Sequence, residues 1–457
     1  MDVFTQILAF IITVLVLVSI HEAGHFVVAK LLGMKVLRFS VGFGKAIFKF
    51  HDKKGTEYVI AFIPLGGYVK LLDEREVAVP EAEKHLAFNR QPLWARTLVV
   101  LAGPMTNLLF AILAFWLMFM VGIESLRPVV GSVQPNSIAA RAGLQPGDEI
   151  IKVDGTPTLT MQQVVMRVVE RLGEKDSMDI EAISALTHLP VHYNLNLQNW
   201  VVNQLNPAPL TSLGIEPLRP EIPAIIGTIA PQSPAQVAGL LPKDKILTLN
   251  NQRIANWYDL VAMIHANPGK TVTVTYARNN KSESKRITIQ KKSAGLRYVG
   301  SIGVKPPPIS IPANMITLRK YPPFPALGVA TNETWQFLVF NFVVLKKMIM
   351  GQVSLSSLGG PITIFQTADD AFRQGASVFL GFLALISVML AFINVLPIPG
   401  LDGGHLLNFL IEFIIRRPLS LRFEMISVQV GIFLLIMLMV LATFNDILRL
   451  FGGSPPS

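Results

Sequence analysis

The first long apolar run of the chain, Phe4 to Leu32, contains the sequence His21-Glu22-Ala23-Gly24-His25. Residues four apart lie on the same face of a helix, so His21 and His25 can direct two imidazoles at one metal ion. Glu22 lies beside them, where a carboxylate can accept a proton from the attacking water. Ionisable side chains are costly inside a membrane span and usually have a function there. The pattern therefore predicts a metal-dependent hydrolase site within a membrane helix.

A less specific interpretation of these residues is that a histidine forms hydrogen bonds between packed membrane helices. Two histidines and a glutamate at this spacing are harder to explain in that way, so we favour the metal. The chain has no cysteine, which excludes thiolate metal sites, disulfides and cysteine nucleophiles. Histidine, aspartate and glutamate are therefore the remaining ligand types.

The composition is that of a membrane protein with more than one domain. With 457 residues and a mean hydropathy of +0.48, the chain is too long for one domain and too apolar for a soluble protein. Its net charge of +10 could indicate nucleic-acid binding, but no basic helix or aromatic-basic strand pattern supports that partner. We attribute the excess to loops that flank membrane spans, so the expected partner is the lipid bilayer.

We expect four transmembrane segments, and basic residues indicate their orientation. The N-terminus lacks the basic region of a cleavable signal peptide. Lys30, Lys35 and Arg38 follow the first segment, and Arg416 and Arg417 lie between the last two. The positive-inside rule places these loops in the cytoplasm, and both termini and the long central section outside it. The predicted organisation is transmembrane segments at 1–32, 97–123, 376–410 and 426–448, a β region at 33–96 and a cytoplasmic loop at 411–425.

The region 33–96 contains three short predicted strands, at Val41–Gly44, Tyr58–Ile63 and Pro64–Leu71. No partner run long enough for an independent sheet is evident. We therefore expect a small sheet that dips into the membrane face beside the metal. A plain cytoplasmic hairpin is the alternative.

An internal repeat follows the second span. Gly131–Ser137 is echoed by Gly227–Ser233, and Ala142–Ile150 by Ala238–Ile246, each at an offset of 96 residues. Each unit has a strand, a short helix, a turn, another strand and a longer amphipathic helix, which begins near Thr160 or Asn256. The pattern resembles the PDZ domain, in which peptides bind by strand addition. We expect PDZ-like domains at 124–221 and 222–308, with empty structural spacers as the alternative.

The region 309–375 begins as an irregular proline-rich segment around Tyr321–Pro325. A helix from Trp335 to Met350 follows, whose apolar run is too short to span and is interrupted by Lys346 and Lys347. We expect this helix at the membrane interface. In the second span, Asn107 can face the site or serve helix packing.

A third protein ligand is needed, because a catalytic zinc site keeps one position for water. The third span ends at Asn394-Val395-Leu396-Pro397-Ile398-Pro399, and Asp402 follows at once. Broken backbone at membrane depth must be buried in protein or face a cavity. Asp402 can also cap the helix that begins near Gly403. His405 competes as a ligand, but we favour Asp402.

Together these motifs resemble the site-2 proteases. The resemblance rests on His21–His25 in the first span, Leu401-Asp402-Gly403 after the third, and the PDZ-like pair, and it covers essentially the whole chain. It implies that His21, His25 and Asp402 bind one zinc ion and that Glu22 is the general base. It also implies that the Asn-x-x-Pro-x-Pro motif, Asn394, Pro397 and Pro399, handles substrate near the site.

The same resemblance implies a membrane-reentrant β-loop at Gly42–Val69. A strand edge there could hold an unwound substrate segment by strand addition, through Gly66, Gly67, Tyr68, Val69, Lys70 and Leu71. The expected fold is a polytopic α-helical membrane protein with four transmembrane helices, a small reentrant β-sheet and two tandem periplasmic PDZ-like α+β domains.

The resemblance further implies an inner-membrane zinc endopeptidase that cuts single-pass proteins already trimmed by another protease, among them an anti-sigma factor and leftover signal peptides. The PDZ-like pair would act as a size filter. The main alternative is a non-catalytic membrane adaptor that binds envelope proteins, with a structural metal. A metal transporter is less consistent, because the fourth span has almost no polar residue to line a path.

Overall fold

The structure of the protein is a computed structural model. It describes residues 3–53, 55–75, 77–202, 208–279, 281–294, 297–307 and 311–452. Both chain termini and the predicted boundary at 308–309 lie outside the described residues. The chain divides into two compact units, residues 1–124 with 318–442 and residues 125–317 with 443–457.

The helices of the described part, in chain order, are α1 (Val3–Leu31), α2 (Leu93–Val121), α3 (Ile138–Ala142), α4 (Met161–Glu170), α5 (Pro209–Leu213), α6 (Pro234–Val237), α7 (Trp257–His265), α8 (Pro323–Ile349), α9 (Pro361–Arg373), α10 (Ala376–Val395), α11 (Asp402–Ile415) and α12 (Leu421–Gly452).

The strands are β1 (Val36–His51), β2 (Glu57–Leu71), β3 (Ile123–Leu126), β4 (Val130–Val133), β5 (Glu149–Val153), β6 (Thr156–Pro157), β7 (Ser177–Ile183), β8 (Pro190–Asn196), β9 (Ile215–Pro217), β10 (Thr228–Ile229), β11 (Lys245–Leu249), β12 (Gln252–Arg253), β13 (Thr271–Arg278), β14 (Lys281–Thr288), β15 (Gln290–Ala294), β16 (Arg297–Ser301), β17 (Val304–Lys305) and β18 (Ile316–Arg319).

Four helices, α1, α2, α10 and α12, are long and apolar enough to cross a membrane. They match the four predicted spans in order, but α2 begins at Leu93 and not at 97, and α12 begins at Leu421 and not at 426. Pro92 precedes its first turn, where a residue without an N–H group costs no helical hydrogen bond. The helices differ in burial. Half of the most apolar window of α2 is buried inside the protein (50%), but only 11% of that of α12.

The third predicted segment, 376–410, is two helices joined by a break. α10 ends at Val395, and Leu396 is extended (φ −62°, ψ 142°), the backbone that a following proline imposes. α11 then begins at Asp402. A Cβ on Gly403 would overlap the carbonyl groups of residues 395 and 396, so this glycine lets α11 begin directly against the end of α10.

The sheet of β1 and β2 is larger than the sequence predicted. Both strands bend, so that β1 residues 38–43 pair with 57–63 on one side, and 36–41 pair with 67–71 on the other. The far half of β1, residues 46–51, pairs with 57–61. The expected small sheet is present, but the expectation of three short strands was wrong, because two long strands form it. Residues 67–71 lie at an edge of this sheet, next to β1.

The proline-rich segment before α8 also differs from expectation. Pro323 and Pro325 lie in the first turn of the helix, which was predicted to begin only at Trp335. Proline is well suited to a first helical turn, because the N–H groups there have no helical partner. Ala326 and Ala330 of α8 are buried in one cluster with Phe115 and Phe119 of α2.

The two repeats have the predicted order of elements. Their four-stranded sheets have the strand orders β6-β5-β7-β8 and β12-β11-β13-β14. Thr160 and Asn256 cap α4 and α7 by accepting the N–H groups of Gln163 and Asp259, which confirms the predicted helix starts. Each repeat has its own hydrophobic core.

The repeats differ strongly in charge. The first, 124–221, has seven Lys and Arg residues and eleven Asp and Glu residues, whereas the second, 222–308, has twelve and three. The first repeat therefore has a net charge of −4 and the second one of +9, which leaves +5 of the total of +10 to the rest of the chain.

Candidate metal centre

Three side chains from distant parts of the sequence meet at one point. Nε2 of His21 lies 3.2 Å from Oδ2 of Asp402, and Nε2 of His25 lies 3.5 Å from the same oxygen. The two histidine nitrogens are 3.3 Å apart. Ligands about 2.0–2.1 Å from a tetrahedral zinc ion are about 3.3 Å from one another. The triangle therefore has the dimensions of three corners of a zinc site.

The local chemistry also fits a cation. Asp402 Oδ2 is buried and has no hydrogen-bond partner among the described residues. A buried carboxylate oxygen without a partner is costly unless a cation or a donor neutralises it. His21, His25 and Asp402 are also the described residues whose ligand atoms cluster closely enough to hold a metal.

The sequence left two alternatives at the start of α11, which are helix capping by Asp402 and metal ligation by His405. The N-cap residue of α11 is Leu401, and Asp402 is the first residue of the helix, so Asp402 is not its N-cap. His405 lines the same cavity but does not belong to the cluster of ligand atoms.

Helix α2 supports the two histidines from behind. A Cβ on Gly103 would overlap Nε2 of His25, so only glycine leaves room for the rings at this position. Val99 O of the same helix lies 2.8 Å from Nδ1 of His25 and accepts its N–H. Asn107 Nδ2 lies 3.1 Å from Nδ1 of His21, so Asn107 faces the site. Such outer contacts orient metal ligands.

Glu22 faces a cavity of about 1040 Å³ that the two histidines and Asp402 also line. The edge segment 67–71 and Asn394 form other parts of its wall. A Cβ on Gly67 would come within 3.1 Å of Cγ of Glu22, which places the strand edge directly beside this carboxylate. The cavity therefore joins a metal-binding corner, a carboxylate and a strand edge.

Three of the predicted substrate-binding residues are not among the described residues that line the cavity. Gly66, at φ +152°, packs against the ring of Phe43. Pro399 lies between α11 and α12, where added Cβ atoms on Gly404 and Gly431 would overlap its backbone. Pro397 belongs to the break between α10 and α11, so Pro397 and Pro399 shape the wall without facing the cavity.

The sequence analysis missed a polar part of the wall. Asp73, Arg75 and Glu424 lie there, and Arg75 joins the other two, with Nη2 2.7 Å from Asp73 Oδ2 and Nη1 2.9 Å from Glu424 Oε2. Burial raises the pKa of Asp73, but the hydrogen bonds and charge of Arg75 outweigh it and hold this pKa below its usual range. Asp73 lies two residues after the end of the predicted strand at Leu71, and this position beside the strand was the sequence signal that could have identified it.

Comparison with known proteins identifies the class. The family model described as peptidase family M50 matches residues 9–438. The chain belongs to this family, the site-2 proteases, and is a zinc metalloprotease.

Its relatives include the regulator of sigma-E protease RseP of Escherichia coli K12, which is 41% identical over 97% of this chain and 98% of its own. The protease RseP of Yersinia pestis is 41% identical over 98% of this chain and 100% of its own. A Vibrio cholerae protein named as a predicted zinc metalloprotease is 40% identical over the same shares. Family membership favours an enzyme over the adaptor alternative.

Among solved structures, the PDZ domain of an SdrC-like protein from Listeria monocytogenes is 17% identical and covers 20% of this chain and 93% of its own, with a TM-score of 0.16. A TM-score this low supports no conclusion about the fold.

Proposed function

We propose that the protein is an intramembrane endopeptidase that cuts the transmembrane segments of single-pass membrane proteins, with one zinc ion per chain. The observation that carries this is the triangle of His21, His25 and Asp402, with edges of 3.2 to 3.5 Å. His21 and His25 belong to a helix long and apolar enough to span a membrane, which supports hydrolysis at membrane depth.

The residues of the cavity have distinct roles in this proposal. Bound zinc would lower the pKa of water to about 7 and polarise the scissile carbonyl. Glu22 accepts the proton and delivers it to the leaving amine. Asn394, which is buried in the wall, holds the substrate backbone near the site. Pro397 and Pro399 keep the segment before Asp402 out of helix.

The edge at 67–71 is the proposed holder of the unwound substrate. A transmembrane helix satisfies its amide groups internally, so it must open before its peptide bonds can react. The opened segment then needs new hydrogen-bond partners, and the edge of a sheet can supply them by strand addition. Tyr68, Val69, Lys70 and Leu71 line the cavity on this edge, with Gly67 beside Glu22. Gly66 lets the strand approach by making room for Phe43.

The location follows from the charged loops and the relatives. We place the protein in a bacterial inner membrane, with both termini and the two repeats, which we interpret as PDZ-like, on the periplasmic side. There the pair would act as a size filter, so that only substrates already cut by another protease reach the cavity. Relatives named regulators of sigma-E protease support an anti-sigma factor as a substrate, with remnant signal peptides as a second class.

The decisive experiment compares wild type with Glu22→Gln. Purified protein in nanodiscs receives a pre-trimmed single-span substrate, and fragments and bound zinc are measured. We expect wild type to produce fragments that a chelator abolishes. Glu22→Gln should bind zinc normally and leave the substrate intact, because the amide cannot accept the proton. Normal cleavage by this variant would contradict the role of Glu22.

A non-catalytic adaptor would bind the substrate without producing chelator-sensitive fragments. His405→Gln is a matched control, because His405 lines the cavity outside the ligand cluster, and this variant should keep its zinc. Loss of zinc from His405→Gln, with retention in Asp402→Asn, would reassign the third ligand.

A further inference from the structure

The buried side-chain amide of Asn107 contacts the His21 ring at Nδ1. Asn107 is fully buried (0% exposed) in α2. Its Nδ2 lies 3.1 Å from Nδ1 of His21, and its Oδ1 is buried without a hydrogen-bond partner among the described residues. A buried amide oxygen without a donor costs about 1–3 kcal/mol. This residue therefore needs an explanation beyond helix packing.

The protonation of the His21 ring determines whether Asn107 must donate or accept the hydrogen bond at Nδ1. Nε2 of His21 faces Asp402 and His25, so Nε2 is the nitrogen that can hold a metal. A neutral imidazole that binds a metal through Nε2 carries its proton on Nδ1. Nδ1–H can only donate, and an amide NH₂ group can only donate as well. Only the amide oxygen of Asn107 is a suitable partner.

A half-turn of the amide supplies that partner. The oxygen and nitrogen of an asparagine side chain exchange places on a 180° rotation, and their hydrogen bonds decide which orientation holds. The rotation brings Oδ1 to hydrogen-bond distance from Nδ1 of His21. In this orientation Oδ1 of Asn107 accepts the Nδ1–H of His21. The NH₂ group of Asn107 then no longer faces that N–H group, so two donors are no longer opposed.

Neighbouring contacts make Asn107 a fixed support. Its backbone oxygen accepts the hydroxyl of Ser387 on α10 at 2.8 Å, and Ser387 is itself fully buried (0% exposed). The second histidine has the same kind of partner, because Val99 O lies 2.8 Å from Nδ1 of His25. Helix α2 thus presents one acceptor to each imidazole.

We infer that Asn107 accepts the Nδ1–H of His21 and so fixes Nε2 as the metal-binding nitrogen. Asn107 is a positioning residue, because it touches neither the metal nor the substrate. Loss of such an outer partner typically lowers metal affinity 10–100-fold. The inference rests on the proposed zinc site.

The test uses two variants of the full-length protein. Zinc affinity is measured by competition with a chromophoric chelator, and thermal unfolding is measured with zinc and after chelation. Asn107→Leu has a similar volume but no acceptor, so we expect a 10–100-fold loss of zinc affinity. Its unfolding after chelation should match that of the chelated wild type. Asn107→Asp keeps an acceptor and should retain affinity within about threefold.

The aspartate variant decides the direction of the hydrogen bond. If Asn107 donates to an unprotonated Nδ1, the carboxylate cannot replace it, and Asn107→Asp will lose zinc as Asn107→Leu does. That result overturns the inference, and so does wild-type affinity in Asn107→Leu. If Asn107→Leu does not fold, Asn107→Asp alone gives the answer.

A matched control is Asn341→Leu in α8, because Nδ2 of Asn341 donates to Phe337 O of its own helix at 2.7 Å and Asn341 belongs to the same unit. We expect wild-type zinc affinity from it. Failure of wild type to bind zinc would contradict the proposed function itself, whereas unequal results among the variants bear only on Asn107.

Discussion

Gly103 shows how a residue without a side chain shapes the metal centre. It lies on α2 directly against the imidazoles of His21 and His25. A Cβ at this position would overlap Nε2 of His25, the nitrogen that faces Asp402. Even one methyl group must therefore displace either a ligand or the helix, because packed interiors tolerate little extra volume.

We expect Gly103→Ala to lower zinc affinity at least tenfold and to abolish cleavage, because displaced ligands no longer match a tetrahedral ion. Chelator competition and fragment analysis measure both effects. Gly328→Ala in α8 is the control, since a Cβ there would meet nothing within 4 Å. Equal zinc affinity in the two variants would show that the rings do not need this space.

Tyr193 predicts a pH dependence in the first repeat. Burial and the hydrogen bond to Asp148 raise the pKa of Tyr193 to about 12. An unfolded tyrosine ionises near pH 10, so the folded pKa is the higher one. The stabilisation by this phenol is therefore complete below about pH 10 and is lost as the pH rises towards 12.

Tyr193→Phe should lower the free energy of unfolding at neutral pH by about 1 kcal/mol, because Asp148 loses one donor. Asp148 keeps the N–H groups of Gln145 and Ala185, so the repeat should still fold. The gap between wild type and variant should narrow between about pH 10 and 12. Thermal unfolding at several pH values measures it, and a constant gap would contradict the raised pKa.

The residues of the metal centre divide into those that a sequence reveals and those that it does not. His21, Glu22 and His25 form a local sequence pattern, and Asp402 follows a helix end that prolines break. The chemical roles of these four residues could therefore be predicted from the sequence. Gly103 and Val99 act through contacts that depend on how α2 is rotated against α1. Apolar periodicity in a uniformly apolar helix does not define that rotation.

At the scale of elements, an ion pair joins the helix of Asp402 to α2. Arg96 donates to both oxygens of Glu412 in α11, at 3.1 and 2.6 Å. The guanidinium also lies 5.1 Å from the ring centroid of Phe409 in the same helix. The side chains are only 12% and 19% exposed, so neither charge is well solvated if the other is removed.

We expect Arg96→Met to destabilise the protein by on the order of 3 kcal/mol, because it leaves a partly buried carboxylate without its partner. The double variant Arg96→Met/Glu412→Gln should recover most of this loss. Thermal unfolding of the four proteins in a double-mutant cycle measures the coupling. A double variant as unstable as the single one would show that the charge pair is not the cause.

Elements were predictable where a single segment determines them. The four apolar helices and the caps at Thr160 and Asn256 each depend on residues close in sequence. The sheet of β1 and β2 was underestimated, because its partner segments are parts of two bent strands, and residues 38–41 pair on both sides. This pairing requires β1 to bend at Gly42, whose φ of +94° favours glycine. The sequence does not show where such a bend falls.

At the scale of the whole molecule, the absence of cysteine makes the proposed topology directly testable. Arg417 and Lys285 are exposed, and the proposal places them on opposite sides of the membrane. In intact cells, a membrane-impermeant maleimide should label Lys285→Cys once the outer membrane is permeabilised, and should leave Arg417→Cys unlabelled. Both should react after detergent lysis. Labelling of Arg417→Cys before lysis would reverse the proposed orientation.

The low burial of α12 has a consequence for handling the enzyme. Only 11% of its most apolar window is covered by protein, so in the proposed membrane setting this helix takes most of its van der Waals contacts from surrounding acyl chains. Its tilt therefore follows the thickness of the hydrophobic layer around it more closely than the tilt of α2 does. Glu424, Met425 and Val428 of α12 form part of the cavity wall, so we expect the choice of amphiphile after extraction to change the width of this cavity.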